Sequence, residues 1–144
     1  MTRTVNSAGL ALVKTHEGLR LEAYRDTSGI RTIGYGHTKG VKPGDSISVA
    51  RAEQFLETDL MEAERVVEAL VTVPLTDNQF SALVSFVFNL GEAAFARSTL
   101  LRKLNQGGYA LVPACLKSWI FDEGKVLQGL VRRRAAEAAL WSLT

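Results

Sequence analysis

The chain has 144 residues, of which 47% are hydrophobic, 8% aromatic and 22% charged, and 17 Lys and Arg against 15 Asp and Glu give a formal charge of +2. This suits one domain, or two small lobes, with a real core, and three prolines without a low-complexity tract argue against long disordered linkers. The single cysteine, Cys115, excludes an internal disulfide, and two histidines fall short of the three or four ligands of a zinc site. The small charge excess fits a polyanionic partner and an ordinary solvated surface equally well. The first residues, MTRTVNSAGLALVKTHEGL, hold only a short apolar run broken by Lys14. Neither a secretory signal nor a membrane span is expected there.

Residues 7–17 read as a helix. Asn6 or Ser7 serves as N-cap, Leu10, Val13 and Glu17 share a face, and Gly18 offers a stop. This sets Glu17 at a helix end, partly shielded from water. Two extended runs follow, 19–25 and 30–35, joined by the turn Asp26-Thr27-Ser28-Gly29. Glycines make 34–44 loop-rich, and Ser46–Ser48 either adds a third short strand or leads into the next helix. Ser48 caps a long helix over 49–71. Its apolar stripe is Phe55, Leu56, Leu60, Ala63, Val67 and Leu70. Its acidic face (Glu53, Glu57, Asp59, Glu62, Glu64, Glu68) is expected to be solvated.

Pro74 ends that helix. Thr76 and Gln79 then form a capping-box pattern, with Leu75 and Phe80 as a hydrophobic staple. The following helix, to Phe88 or Leu90, is apolar almost all round and belongs in the middle of a helical lobe. Gly91 stops it. Ser98 starts a short helix, Leu100–Asn105, before Gly107-Gly108. Leu111–Phe121 is expected to be helical, with Pro113 in its first turn, Trp119 in the core and Cys115 as a buried thiol. Asp122–Gln128 reads as a polar loop and Leu130–Leu143 as a final amphipathic helix. The expected fold is therefore α+β and mainly α. An N-terminal lobe over about 1–50 carries the hairpin, the helix over about 49–71 connects, and a helical lobe covers about 72–144, with a site in the cleft between lobes.

Chemistry concentrates in Glu17–His37, EGLRLEAYRDTSGIRTIGYGH, where the spacing is Glu-x8-Asp-x5-Thr. One hairpin gathers two carboxylates, Glu17 and Asp26, and the hydroxyl of Thr32. A carboxyl that protonates a leaving oxygen, opposite a carboxylate and hydroxyl that hold a water, suits cleavage of a sugar linkage with inversion. Each residue also has a plainer role: an ion pair at a helix end for Glu17, a turn cap for Asp26, strand preference for Thr32.

EGLRLEAYRD, TIGYGHT, FNLG, STLLRKLN and GL-x-x-RR-x-x-E, in this order, closely resemble the phage-type lysozymes, or endolysins, of glycoside hydrolase family 24. The resemblance covers nearly the whole chain. It implies a lysozyme-like fold and a muramidase that hydrolyses, with inversion, the β-1,4 bond between N-acetylmuramic acid and N-acetylglucosamine in peptidoglycan, for host-cell lysis. Glu17 would be the general acid and Asp26 with Thr32 the water-holding pair. Arg133 would pair with Glu17, with Arg134 the alternative and Arg132 on a solvated face. Asn89 would line the saccharide groove, His37 would be a structural hydrogen-bonder, and Tyr35 would flank the site. No cofactor or metal is expected, nor any nucleic-acid motif or stable membrane insertion. A monomer is expected, held in the host cytoplasm until a holin breaches the membrane and then acting in the periplasm on the cell wall. A lytic transglycosylase would need no water-holding pair, and a non-catalytic wall-binding module would more naturally lose one of the three residues.

Overall fold

The computed structural model describes residues 3–143. Asn6 starts helix α1 (Ser7–Glu17): its Oδ1 accepts from the Gly9 amide at 2.9 Å, satisfying an otherwise orphan donor. Gly18 ends the helix at φ 75°, its amide donating to the Lys14 carbonyl. Strands β1 (Arg20–Arg25) and β2 (Arg31–Gly34) pair antiparallel, with Tyr24 opposite Thr32 and Arg25 opposite Arg31. Asp45–Ile47 joins the free edge of β1, through Ala23 N–H to the Asp45 carbonyl and Ile47 N–H to the Leu21 carbonyl, both 2.9 Å. Of the two expectations for Ser46–Ser48, the strand-like one holds for Ser46, which bridges Glu22.

Helix α2 spans Val49–Leu70, and the Ser48 hydroxyl caps it by accepting from the Arg51 amide at 3.1 Å. Leu56, Leu60, Ala63 and Val67 of its stripe are buried. The acidic face is not uniformly solvated. Glu64 is buried and accepts from the Val5 amide at 2.8 Å, and Asp59 and Glu53 are half-buried in ion pairs. A carboxylate beside the stripe leaves water when a donor reaches it.

Helix α3 (Asp77–Leu90) carries both halves of the Thr76–Gln79 capping box and is buried from Phe80 to Val87. Helix α4 (Glu92–Ala96) was not anticipated; it fills the turn between Gly91 and the Ser98 cap of α5 (Thr99–Asn105). The helix expected over Leu111–Phe121 is shorter. A 3₁₀ turn at Tyr109–Leu111 leads into α6 (Val112–Lys117), with Pro113 in its first turn. The chain then turns into a hairpin, β3 (Phe121–Asp122) with β4 (Lys125–Val126), where a loop was expected. Glu123, at φ 50°, and Gly124 make its tight turn. Cys115 is half-buried rather than buried. Trp119 is also half-buried, edge-on to Phe86 at 5.7 Å. Helix α7 covers Gln128–Trp141, starting two residues before the expected Leu130.

Two compact units result. One is Lys14–Met61. The other joins the described residues up to Val13 to those from Glu62 onward. The arm before α1 goes with the helical unit because its donors find acceptors there. Glu68 accepts from the Arg3 amide, Glu64 from the Val5 amide and the Ser81 hydroxyl from the Asn6 amide. No helix among the described residues is long and apolar enough to cross a membrane.

Candidate active site

Glu17, Asp26, Thr32, Tyr35 and His37 all belong to the Lys14–Met61 unit; Asn89 and Arg133 belong to the other. Glu17 is half-buried at the last position of α1. Its Oε1 lies against Gly36: a Cβ built there would sit 3.3 Å from it, on a backbone with φ 90°. Glycine thus lets the Tyr35–His37 turn press on the carboxyl.

Asp26 follows β1 directly. Its Oδ1 accepts from the Ser28 and Ile30 amides, both at 2.9 Å, so the turn-cap role is real. Oδ2 has no partner among the described residues. Thr32 is buried and its hydroxyl donates to the Ile30 carbonyl at 2.9 Å, which leaves its lone pairs to accept. Tyr24 stands opposite Thr32, and strand alternation puts Asp26 on the face of Tyr24. Asp26 and Thr32 are therefore diagonal neighbours on one face, a relation that spans about 7–8 Å.

His37 is buried. Its Nδ1 lies 2.8 Å from Asp59 Oδ2, and its ring stacks on Phe55 at 4.0 Å and 2°. The His37 backbone closes the turn by a reciprocal pair of 2.9 Å hydrogen bonds with Ile33. Tyr35 is buried too, beneath the Lys14 ammonium at 5.9 Å from the ring centroid. Lys14 in turn pairs with Glu53 at 2.5 Å, and that hydrogen-bonded carboxylate holds its pKa above the usual lysine value.

In the helical unit, Arg132 is exposed as expected, while Arg133 and Arg134 are 3% and 0% exposed. Arg134 meets Glu137 side-on, Nε to Oε1 at 2.7 Å and Nη2 to Oε2 at 3.0 Å. Ser85 donates to Glu137 Oε2 at 2.5 Å, and Arg133 donates to both the hydroxyl and the carbonyl of Ser85 at 3.3 Å. Burial pushes the Glu137 carboxyl above its ordinary value, against the opposing pull of the two guanidiniums and Ser85. Burial likewise lowers Arg134. Asn89 is half-buried near the end of α3, and its Oδ1 is shut from solvent without a hydrogen-bond partner among the described residues. Among the described residues no group of His, Cys, Asp and Glu is arranged to hold a metal.

A family model described as phage lysozyme matches residues 14–137, which span every candidate residue above. The chain belongs to the phage lysozyme family. An endolysin of Acyrthosiphon pisum secondary endosymbiont phage 1 is 43% identical over 95% of this chain and 97% of that one. The endolysin of Salmonella phage P22 is 40% identical over 95% and 97%, and a solved P22 lysozyme superposes with a TM-score of 0.88 at 37% identity, covering 96% of this chain and 98% of that one. The muramidase domain of SpmX from Asticaccaulis excentricus superposes with a TM-score of 0.93 at 38% identity and 99% coverage of both chains. Like its relatives, this phage lysozyme is a glycosidase with an endolysin's function in cell lysis.

Sequence reading of this phage lysozyme missed Asp59 and Glu137 as supports. For Asp59 a signal existed: it lies four residues after Phe55, so both reach the same neighbour from one helix face. For Glu137 the signal was its i+3 spacing from Arg134 inside an otherwise apolar helix face.

Proposed function

We propose that the chain hydrolyses the β-1,4 bond between N-acetylmuramic acid and N-acetylglucosamine in peptidoglycan with inversion, using Glu17 as general acid and Asp26 with Thr32 to hold the attacking water. The hydrogen-bond inventory of the hairpin carries this reading. Thr32 has committed its proton to the Ile30 carbonyl and Asp26 has committed one oxygen to two amides. A water beside them donates one hydrogen to Asp26 Oδ2 and the other to Thr32 Oγ1. Both its lone pairs then face outward, and one attacks the anomeric carbon. Asp26 takes the proton as the C–O bond forms, while Glu17 gives its own proton to the departing glycosidic oxygen. Arg133 and Asn89 are proposed to support substrate and acid, His37 and Tyr35 to hold the turn that carries Gly36.

The reading extends to access. The enzyme is proposed to act as a monomer and to reach the wall from the host cytoplasm once a holin has opened the membrane. Its likeness to phage endolysins supports this.

The test of the acid is Glu17→Gln, which keeps the shape of the side chain and removes its proton. Loss of general acid catalysis lowers the rate of reducing-end release by at least about 10²–10⁴ with folding intact. A variant that clears cell walls at the wild-type rate removes Glu17 from the mechanism.

A further inference from the structure

Tyr24 stands directly opposite Thr32 in the β1–β2 ladder, and alternation sets it on the same face as Asp26. Residues so opposed have Cβ atoms about 4.5–5.5 Å apart, and an aromatic facing a β-branched residue is a favourable cross-strand pair. Thr32 is only 4% exposed, and Tyr24 is the residue placed to cover it from across the ladder. Tyr24 is itself half-buried, and the Arg20 guanidinium lies over its ring at 4.3 Å from the centroid. A cation on the ring face favours one orientation of the ring. The phenol hydroxyl makes no hydrogen bond among the described residues. What Tyr24 offers its neighbours is thus a plane of carbon, held from one side.

The chemistry gives such a wall a use. A water that donates to Asp26 and Thr32 is fixed at only two points. With the space beside Thr32 open, it could tilt or be joined by a second water, and its lone pair would leave the line of attack. Displacing a reacting atom by about 1 Å costs about 10²-fold in rate. Arg20, Tyr24, Asp26 and Thr32 all belong to the Lys14–Met61 unit, so the wall and the pair it serves are built on one hairpin.

We propose that Tyr24, clamped by Arg20, is a positioning residue: its ring closes the site beside Thr32, so that one water fits there and a larger nucleophile does not. This rests on Asp26 and Thr32 holding the attacking water. The test offers methanol, which differs from water by one methyl. At the site its oxygen would bond to the anomeric carbon as the bond to the departing sugar breaks. Its proton would pass to Asp26 and that of Glu17 to the departing oxygen, leaving a methyl glycoside in place of a reducing end. The ratio of the two products from soluble peptidoglycan is measured in a fixed water–methanol mixture, and kcat and KM in water alone. The proteins are the wild type, Tyr24→Ala, Tyr24→Phe, Arg20→Gln and Arg25→Ala. Arg25→Ala loosens the same hairpin from its other face by removing the 2.9 Å hydrogen bond to the Gly29 carbonyl. Arg20 is exposed, so Arg20→Gln carries the test even if Tyr24→Ala does not fold.

An apolar wall discriminates one methyl group by about 10–200-fold, so Tyr24→Ala is expected to raise the methyl glycoside ratio by about tenfold or more. It is also expected to lower kcat with KM little changed. Arg20→Gln shifts both in the same direction and by less, while Tyr24→Phe, which keeps the ring, and Arg25→Ala retain the wild-type ratio. A wild-type ratio in Tyr24→Ala or in Arg20→Gln overturns the proposal. So does a ratio raised equally in Arg25→Ala, since any loosening of the hairpin would then admit methanol. A Tyr24→Ala defect confined to KM would make the ring a saccharide contact, and a Tyr24→Phe that behaves like Tyr24→Ala would assign the role to the hydroxyl; either overturns the wall. An initial β-anomer or anhydro ends from the wild type in water would sink the water-holding reading itself. An initial α-anomer with unaltered ratios in the variants sinks only the role of Tyr24.

Discussion

Asp59 and Phe55 hold His37 in two ways, one by the ring nitrogen and one by the ring face. The turn behind His37 brings Gly36 against Glu17, so this side chain braces the backbone that shapes the site. Asp59→Ala leaves a buried imidazole nitrogen without its acceptor, and is expected to cost about 1–3 kcal/mol. Glu57→Ala, an exposed neighbour on the same helix, should stay within about 0.5 kcal/mol. Urea titration of both variants checks this; equal midpoints would show that the contact carries no weight. At this scale the helix end that carries Glu17 and the hairpin that carries Asp26 and Thr32 were legible, because their cap, stop and turn signals are local in sequence. Asp59 was not legible, because a carboxylate beside an apolar stripe looks solvated until a donor from another segment is known.

Helix α7 gathers Arg133, Arg134 and Glu137 at the buried contact with Ser85 of α3. The folded Glu137 carboxyl sits above its ordinary value of 4.5. As pH rises through that value, the unfolded carboxyl ionises first and the folded state retains more protons. Stability from this group is thus fully present below about pH 4.5 and declines as pH rises toward the folded value. Relative to Glu137→Gln, the wild type is expected to lose stability as pH rises above about 4.5, read from urea midpoints at successive pH values. A wild-type advantage that grows with pH would show instead that the two arginines outweigh burial and favour the carboxylate. The elements themselves were legible where caps were strong, as at Asn6, Ser48, Thr76 and Ser98. They were illegible where the signal was short. The β3–β4 hairpin has two residues per strand, too few for alternation to register, and α6 stops at Lys117 without a glycine or proline to mark it.

For the whole molecule, family membership was legible from five ordered motifs, and the mainly helical character from long periodic segments. The division into units was less so. The arm before α1 is short and polar, and only the structure links its amides to Glu64, Glu68 and Ser81. The proposed dependence on a holin predicts that the protein expressed alone in a Gram-negative cell accumulates without lysis until the membrane is permeabilised. Lysis on expression alone would contradict that dependence. The central claim is that Asp26 and Thr32 deliver water to the face opposite the leaving group. Proton NMR of a fresh peptidoglycan digest tests it most directly. The account predicts that the α-anomer of the new reducing end appears first and equilibrates later. An initial β-anomer would mean retention, and anhydro-sugar ends would mean no water is added at all; either result would contradict it.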